Sequence, residues 1–223
     1  MDFDTIIIGA GLAGIVIAER LTTINNEKVL IVEQRDHIGG NCYDCHDKHG
    51  LLIHPYGPHI FHTDNKAVWQ YLSNFTQWRQ YQHSVLGYID GKKVPIPFNL
   101  NTLHDLLPTG LASMLEKNLL IQFGIGMRLP IIELLKSENR DLQFLSGFIR
   151  EKVFLNYTIK QWGIKLEEIS TDILNRVPVI ISRDDRYFQD CYQGLPKYGY
   201  TRMFKKMLDH PNIKILLNTS MRE

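Results

Sequence analysis

The sequence lacks most of the features that assign a protein at sight. It has no excess charge of one sign: 25 Lys and Arg stand against 24 Asp and Glu in 223 residues, a formal charge of +1. That balance supplies no electrostatic basis for binding nucleic acid or an anionic membrane surface. Long apolar runs are missing as well. The most apolar stretch, Ile6 to Ala18, contains three glycines, follows Asp2 and Asp4, and stops at Glu19. It is shorter than the roughly 20 residues of a membrane span and lacks the basic start and cleavage site of a signal peptide, so a cytoplasmic location is expected. Cysteine is scarce. Cys42, Cys45 and Cys191 are an odd number without an export signal, which argues against a disulfide framework and for reduced thiols. There is no internal repeat and no low-complexity tract. What remains, 44% hydrophobic and 22% charged residues, suits a globular chain with a buried core, and the length allows one large domain or two small ones.

The N-terminus carries the densest signal. Thr5-Ile6-Ile7-Ile8 reads as a strand, Gly9-Ala10-Gly11-Leu12-Ala13-Gly14 follows, a helix-compatible stretch runs to about Asn25, and Lys28 to Glu33 reads as a second strand. In such a βαβ unit each glycine of G-x-G-x-x-G has a mechanical task. Gly9 permits the tight turn, Gly11 lets a pyrophosphate reach the backbone, and Gly14 lets the helix pack closely on the strand. The helix N-terminus offers free N–H groups and partial positive charge to the phosphates. Glu33, 19 residues after Gly14, suits a ribose and would repel a 2′-phosphate, which disfavours NADP. The competing reading is a glycine-rich βα turn without a ligand; strand, helix, strand and acid in register argue against it. A second glycine turn, Ile38-Gly39-Gly40-Asn41, exceeds what a nicotinamide site needs and favours FAD. The polar and aromatic loop from Asn41 to Asp64 is a plausible wall beside a flavin ring.

Further along, Ser84 to Ile89 and Lys92 to Ile96 read as a hairpin around Asp90-Gly91, with Pro95 and Pro97 limiting the second strand to an edge or an end. A helical period follows, with segments Thr102 to Leu107, Leu111 to Phe123, Pro130 to Lys136 and Leu142 to Leu155; Pro130 suits a first turn, and Asn101 and Asp141 suit caps. Val177 to Ser182 and Lys214 to Leu217 read as strands, Gly199 to Leu208 as a helix, and Arg186 to Gly194 as an aromatic and polar loop. Cys42-Tyr43-Asp44-Cys45-His46 matches C-x-x-C-H, but haem attachment goes with export and thiol redox chemistry with a different context. Cys42, Cys45, His59 and His62 could be drawn as a zinc site, yet the two-residue gap between the histidines is short for one, so no metal is expected. Trp69 and Trp78 are expected in the core.

Taken together, GAGLAG, VEQRDHIGGN, YGPHIFHT, PFNLNT, NYTIKQWG, NRVPV and RYFQDCYQGLPKYGYTRM resemble one family, the UDP-galactopyranose mutases. These flavoenzymes interconvert UDP-galactopyranose and UDP-galactofuranose for cell-surface polysaccharide. The resemblance implies FAD, reduced for activity, with the flavin N5 as nucleophile at the anomeric carbon, a flavin reductant such as NAD(P)H, and a possible homodimer. It implies FAD contacts at Gly9, Gly11, Leu12, Ala13, Gly14, Glu33, Gln34, Gly40, Asn41, His59 and Ile60. Catalytic roles fall to Arg176, His62 and Tyr187: Arg176 clamps the diphosphate, His62 lies beside the flavin, and Tyr187 bonds the uridine diphosphate. Tyr157 would stack on uracil with Phe154 lining its pocket, and Thr158, Trp162 and His83 complete the substrate set. His83 stands where many members carry Asn, and Pro58 where a small residue is usual. Taken singly, Trp162 and Phe154 would read as core and Arg176 as a surface ion pair.

The fold implied is α/β, with a Rossmann-like FAD-binding βαβ domain over 1–80, an inserted helical substrate-binding lobe over 101–175, and a mixed β-sheet substrate region from 81–100 and 176–223. A doubly wound sheet needs further strands, so the fold is expected to be incomplete at the C-terminus. Two other functions share part of the pattern: an FAD-dependent oxidoreductase of the amine-oxidase type, and a non-catalytic nucleotide-sugar-binding fragment.

Overall fold

Residues 2–155 and 178–220 are described by a computed structural model. The chain forms two units, Met1–Tyr81 with Asp190–Glu223, and Gln82–Gln189. In the first, β1 (Thr5–Ile8) leads through α1 (Leu12–Asn25) into β2 (Val29–Val32), parallel to β1 with Thr5 opposite Val29. This is the βαβ unit expected from the branched strands and the glycine turn. Ile15 and Ala18 on α1 join Val29 and Ile31 in the core, each of the three branched side chains favouring the fold by roughly 1.5–3 kcal/mol. Asn26 ends α1 in a left-handed conformation, φ 56°, its N–H returning to the Leu21 and Thr22 carbonyls.

Two short strands, β3 (Cys45–His46) and β4 (Leu52–Ile53), then pair antiparallel before β5 (Phe61–Thr63), α2 (Lys66–Ser73) and β6 (Trp78–Gln80). Asn65 caps α2 by accepting the Ala67 N–H at 2.9 Å. A buried carboxylate ties α2 to α1: Glu19 accepts the Tyr71 hydroxyl at 2.6 Å, the Thr23 hydroxyl at 2.9 Å and the Arg20 guanidinium. Burial opposes charge on Glu19, but the hydrogen bonds from Arg20, Tyr71 and Thr23 outweigh it and hold the carboxyl below its ordinary range. Burial, then the neighbouring Glu19, pushes Tyr71 up.

In the second unit β7 (Val85–Ile89) and β8 (Lys92–Ile96) form the expected hairpin, with φ of 47° at Asp90 and 82° at Gly91. It packs with helices α3 (Leu100–Leu106), α4 (Thr109–Phe123), α5 (Ile131–Leu135) and α6 (Arg140–Ile149), the last continuing into a π-helical turn, Arg150–Leu155. Strands β9 (Arg128–Leu129) and β10 (Val179–Ile180) pair antiparallel. The caps lie two residues ahead of those expected. Asn99 and Asn139, not Asn101 and Asp141, hold the extended backbone a cap requires; their side chains accept the Thr102 and Asp141 N–H groups at 3.0 and 2.9 Å. Asp141 instead occupies the first turn, where the helix dipole favours a carboxylate.

The chain then returns to the first unit. Strand β11 (Tyr192–Pro196) lies between β5 and β6, with Gln193 opposite His62 and Leu195 opposite Arg79. α7 (Tyr200–Met207) follows, and β12 (Ile213–Leu216) pairs parallel to β2, giving the sheet order β1-β2-β12. The partition therefore differs from the three-part reading of the sequence: residues 85–96 pack with the helices, while 192–216 complete sheets of the first unit. The parallel sheet is packed on its Ile7, Ile31 and Ile215 face, whereas Ile6 and Ile8 on the other face are 57% and 71% exposed. Among the described residues no helix is long and apolar enough to cross a membrane.

The Glu19 cluster makes a checkable statement about stability. The depressed folded-state value means its contribution is full above the carboxyl's unfolded value and is lost as pH falls through the folded one. Glu19→Gln is expected to cost roughly 1–3 kcal/mol near neutral pH, with the difference from wild type shrinking in acid; urea unfolding at both pH values measures it.

Candidate functional site: a glycine cradle and an aromatic loop

The first turn has the geometry its glycines were read for. Gly9 adopts φ +99°, and no atom lies within 4 Å of a β-carbon built on Gly9 or on Gly11, so the space above the turn is open. A β-carbon on Gly14 would fall 2.2 Å from the Gly9 carbonyl oxygen, so α1 can rest on β1 only with glycine there. Gly11 is the N-cap and no side chain caps α1, leaving the first-turn N–H groups around Leu12 and Ala13 free of a capping acceptor. Gly40, at φ 56°, brings the second turn so close that its β-carbon would lie 3.1 Å from the Gly11 Cα. An open, positively polarised cradle of this kind fits a pyrophosphate.

Glu33 is 6% exposed at the end of β2. Its two carboxylate oxygens accept the Ala10 N–H at 2.7 Å and the Arg35 N–H at 2.9 Å, so it braces the turn as well as offering lone pairs to a ribose. Gln34 beside it is exposed. Asn41 accepts from Arg35 Nη2 at 3.0 Å, and the Arg35 guanidinium lies 4.6 Å over the Tyr56 ring. His59 shares a 2.9 Å hydrogen bond with the Gly57 carbonyl, and Ile60 beside it is half-buried. His62 Nδ1 lies 2.9 Å from Asp190 Oδ2, a pairing between β5 and the residues leading into β11 whose only trace in sequence is an acid in the RYFQDCYQG segment.

A second partnership missed in sequence is that of Asp44. This buried carboxylate accepts the Tyr200 and Thr201 N–H groups at 2.5 and 2.9 Å and so caps α7 from 156 residues away. Gly199 makes room for it, since a β-carbon there would lie 2.7 Å from the carboxylate. Burial, with Asp44 close by, pushes the Cys42 thiol up, which makes it a poor thiolate. Among the described residues no group of three or more His, Cys, Asp or Glu could hold a metal. A cavity of about 950 Å³ flanks α7, lined by His37, Tyr43, Leu52, Tyr198, Arg202 and Lys205 among others, and includes none of the glycines of the first turn.

In the second unit, His83 and Tyr187 meet edge-on at 5.7 Å, and Tyr187 and Phe188 at 4.9 Å; the Tyr187 N–H donates to the His83 carbonyl at 2.7 Å. Asp184 grips Arg186 through both carboxylate oxygens, and that guanidinium holds its carboxyl below the ordinary range. Phe154 is 3% exposed within the core of this unit. Tyr157, Thr158, Trp162 and Arg176 lie outside the described residues.

Comparison with known proteins shows what this chain is similar to. Residues 152–223 match the profile of the family described as UDP-galactopyranose mutase, and residues 7–75 that of an NAD(P)-binding Rossmann-like domain. The chain is 41% identical over 222 residues to a UDP-galactopyranose mutase of Mycoplasma genitalium, covering 97% of this chain and 54% of the relative. It is 38% identical over 213 residues to a dTDP-fucopyranose mutase of Escherichia coli, covering 95% and 55%. A crystal structure of reduced UDP-galactopyranose mutase superposes with a TM-score of 0.66 at 22% identity, covering 96% of this chain and 48% of the other, which speaks for a shared fold. The chain spans about half the length of the curated relatives it matches.

The cradle separates two glycines by physical role. Gly14→Ala forces α1 away from β1 and is expected to cost about 1–3 kcal/mol, whereas Gly11→Ala meets open space and should leave stability near wild type; urea unfolding distinguishes them.

Proposed function

We propose that this chain, which belongs in sequence with the UDP-galactopyranose mutases, supplies the FAD-binding and uridine-binding parts of an isomerase that interconverts UDP-galactopyranose and UDP-galactofuranose. The observation that carries this reading is the match of residues 152–223 to the mutase family, because that region lies outside the glycine turns common to many flavoproteins. Bound and reduced, FAD supplies the nucleophile for the anomeric carbon. The residues present fit it: the first-turn amides of α1 beside the open space at Gly9 and Gly11 would hold the pyrophosphate, Glu33 would hold the ribose, and Asn41, His59 and Ile60 would contact the cofactor.

The remaining task is to hold a nucleoside diphosphate that gains charge as it leaves the sugar. A guanidinium fork suits that demand, and Arg176 is assigned to it, with Tyr157 stacking on uracil and Thr158, Trp162 and Tyr187 bonding the uridine and diphosphate. His83 contributes through its contact with Tyr187. His62, paired with Asp190, takes the position beside the flavin. The reaction is assigned to the cytoplasm, with a reductant such as NAD(P)H keeping the flavin reduced and a homodimer as the working assembly.

A second reading, isomerisation of a deoxythymidine diphosphate sugar, is favoured by the similarity to the Escherichia coli dTDP-fucopyranose mutase. An amine-oxidase-type oxidoreductase would share the glycine turns and leave the match over 152–223 without a purpose.

The flavin-reduced protein is expected to convert UDP-galactofuranose into UDP-galactopyranose, followed by chromatography of the nucleotide sugars. Turnover of the dTDP sugar alone would move the assignment to the second reading, and absence of any turnover with FAD and UDP both bound would leave a binding fragment. Gly11→Ala, harmless to the fold, should lower FAD retention as read from the flavin absorbance of the purified protein. Arg176→Ala is expected to weaken UDP binding roughly 10- to 100-fold by calorimetry, the weight of a lost charge-assisted contact; unchanged affinity removes it from the clamp.

A further inference from the structure

The segment that carries Tyr187 is held by polar side chains from the start of α3. Asn99, only 2% exposed, uses both ends of its amide. Its Oδ1 accepts the Thr102 N–H at 3.0 Å and so starts α3, while its Nδ2 donates to the Asp184 carbonyl at 3.2 Å and to the Asp185 carboxylate at 2.8 Å. The same Asp185 oxygen accepts from Asn101 Nδ2 at 3.0 Å, and that amide also donates to the Arg183 carbonyl at 3.1 Å. Arg183 in turn donates to the Asn101 Oδ1 at 3.3 Å and to both Glu116 oxygens at 2.8 and 2.9 Å.

Capping α3 needs only one of these asparagines. Asn101 lies in the first turn of α3, and its side chain is given instead to the Asp185 carboxylate and the Arg183 carbonyl. Leu100 and Leu103 on the same helix are buried in the core, so α3 is a rigid anchor. Residues 182–188 have no helix or strand of their own, and fixing such a segment costs conformational entropy that some set of contacts must offset. Asp185 is itself exposed, but Asn99 is buried away from competing water, and a carboxylate shared by two amides is a charge-assisted contact suited to that purpose. Two residues on, Tyr187 meets His83 through its backbone and its ring.

We propose that Asp185, held by Asn99 and Asn101, is a positioning residue that fixes Tyr187 for the uridine diphosphate group of the substrate. This rests on the functional reading above, in which Tyr187 touches that ligand. Asp185 acts through the loop and makes no contact with the nucleotide itself.

The test uses the whole chain with Asp185→Ala and the conservative Asp185→Asn, which keeps an acceptor for both amides. Amide hydrogen exchange over residues 183–188 is expected to quicken about tenfold in Asp185→Ala, to stay near wild type in Asp185→Asn, and to be unchanged in the cores of both units. Unchanged exchange in Asp185→Ala overturns the clasp, whatever the ligand does. UDP affinity, by calorimetry, is expected to fall about tenfold in Asp185→Ala and to recover in Asp185→Asn. Tyr187→Ala should weaken UDP too, and adding Asp185→Ala to it should cost nothing further. Full additivity, or a loosened loop with UDP affinity intact, overturns the positioning role. A wild-type chain that binds no UDP defeats the functional reading and the ligand part of this inference with it, while the exchange experiment still decides the clasp.

Discussion

Glycine at position 14 is the constraint on which the first unit depends. Its Cα lies so close to the Gly9 carbonyl that any side chain would collide with backbone, and backbone cannot rotate aside. With that approach permitted, α1 settles on β1 and β2, and Ile15 and Ala18 reach Val29 and Ile31. At the same turn the space at Gly9 and Gly11 is open, and with glycine as N-cap the helix N-terminus has no side-chain cap. Close packing and open space thus come from different glycines of one turn. Gly40 repeats the device, drawing the second turn against Gly11.

Around that contact, buried polar groups join segments far apart in the chain. Glu33 ties the first turn to the end of β2, Glu19 ties α1 to α2, and Asp44 starts α7 from the far side of the sequence. Each is a buried carboxylate whose burial is tolerable only because several donors converge on it, and removing the donors would leave an uncompensated charge. Asn99 does the equivalent work in the second unit with a neutral amide. Such groups specify one arrangement among many apolar packings of similar energy. They also hold the pieces assigned to chemistry, since Asp190 orients His62 and the Asn99 network bears the loop of Tyr187.

The elements that could be read in advance were those with a local cause. Branched residues at 5–8 and 29–32 with glycines between them, and Asp90-Gly91 between alternating strands, need only their neighbours to be understood. Strand β11 was not legible, because Gly194 and Pro196 argue locally against a strand, and its place arises from pairing with β5 and β6 more than a hundred residues earlier. The caps of α3 and α6 were displaced by two residues because several asparagines and aspartates there are chemically competent, and only the backbone conformation selects among them. The burial of Phe154 in the core of the second unit is likewise a matter of packing that composition alone does not assign to an aromatic residue.

The sequence by itself determined the βαβ unit with its glycine turn, the acid at the end of β2 and the similarity to the UDP-galactopyranose mutases, since glycine spacing, strand composition and extended motifs are local and survive without coordinates. Tertiary structure alone decided that residues 192–216 rejoin the N-terminal unit, that His62 meets Asp190, and that Asp185 is gripped from α3. Those contacts join residues tens to more than a hundred positions apart. A hydrogen bond across such a distance depends on the folded positions of both partners, and no local pattern in the chain encodes that meeting.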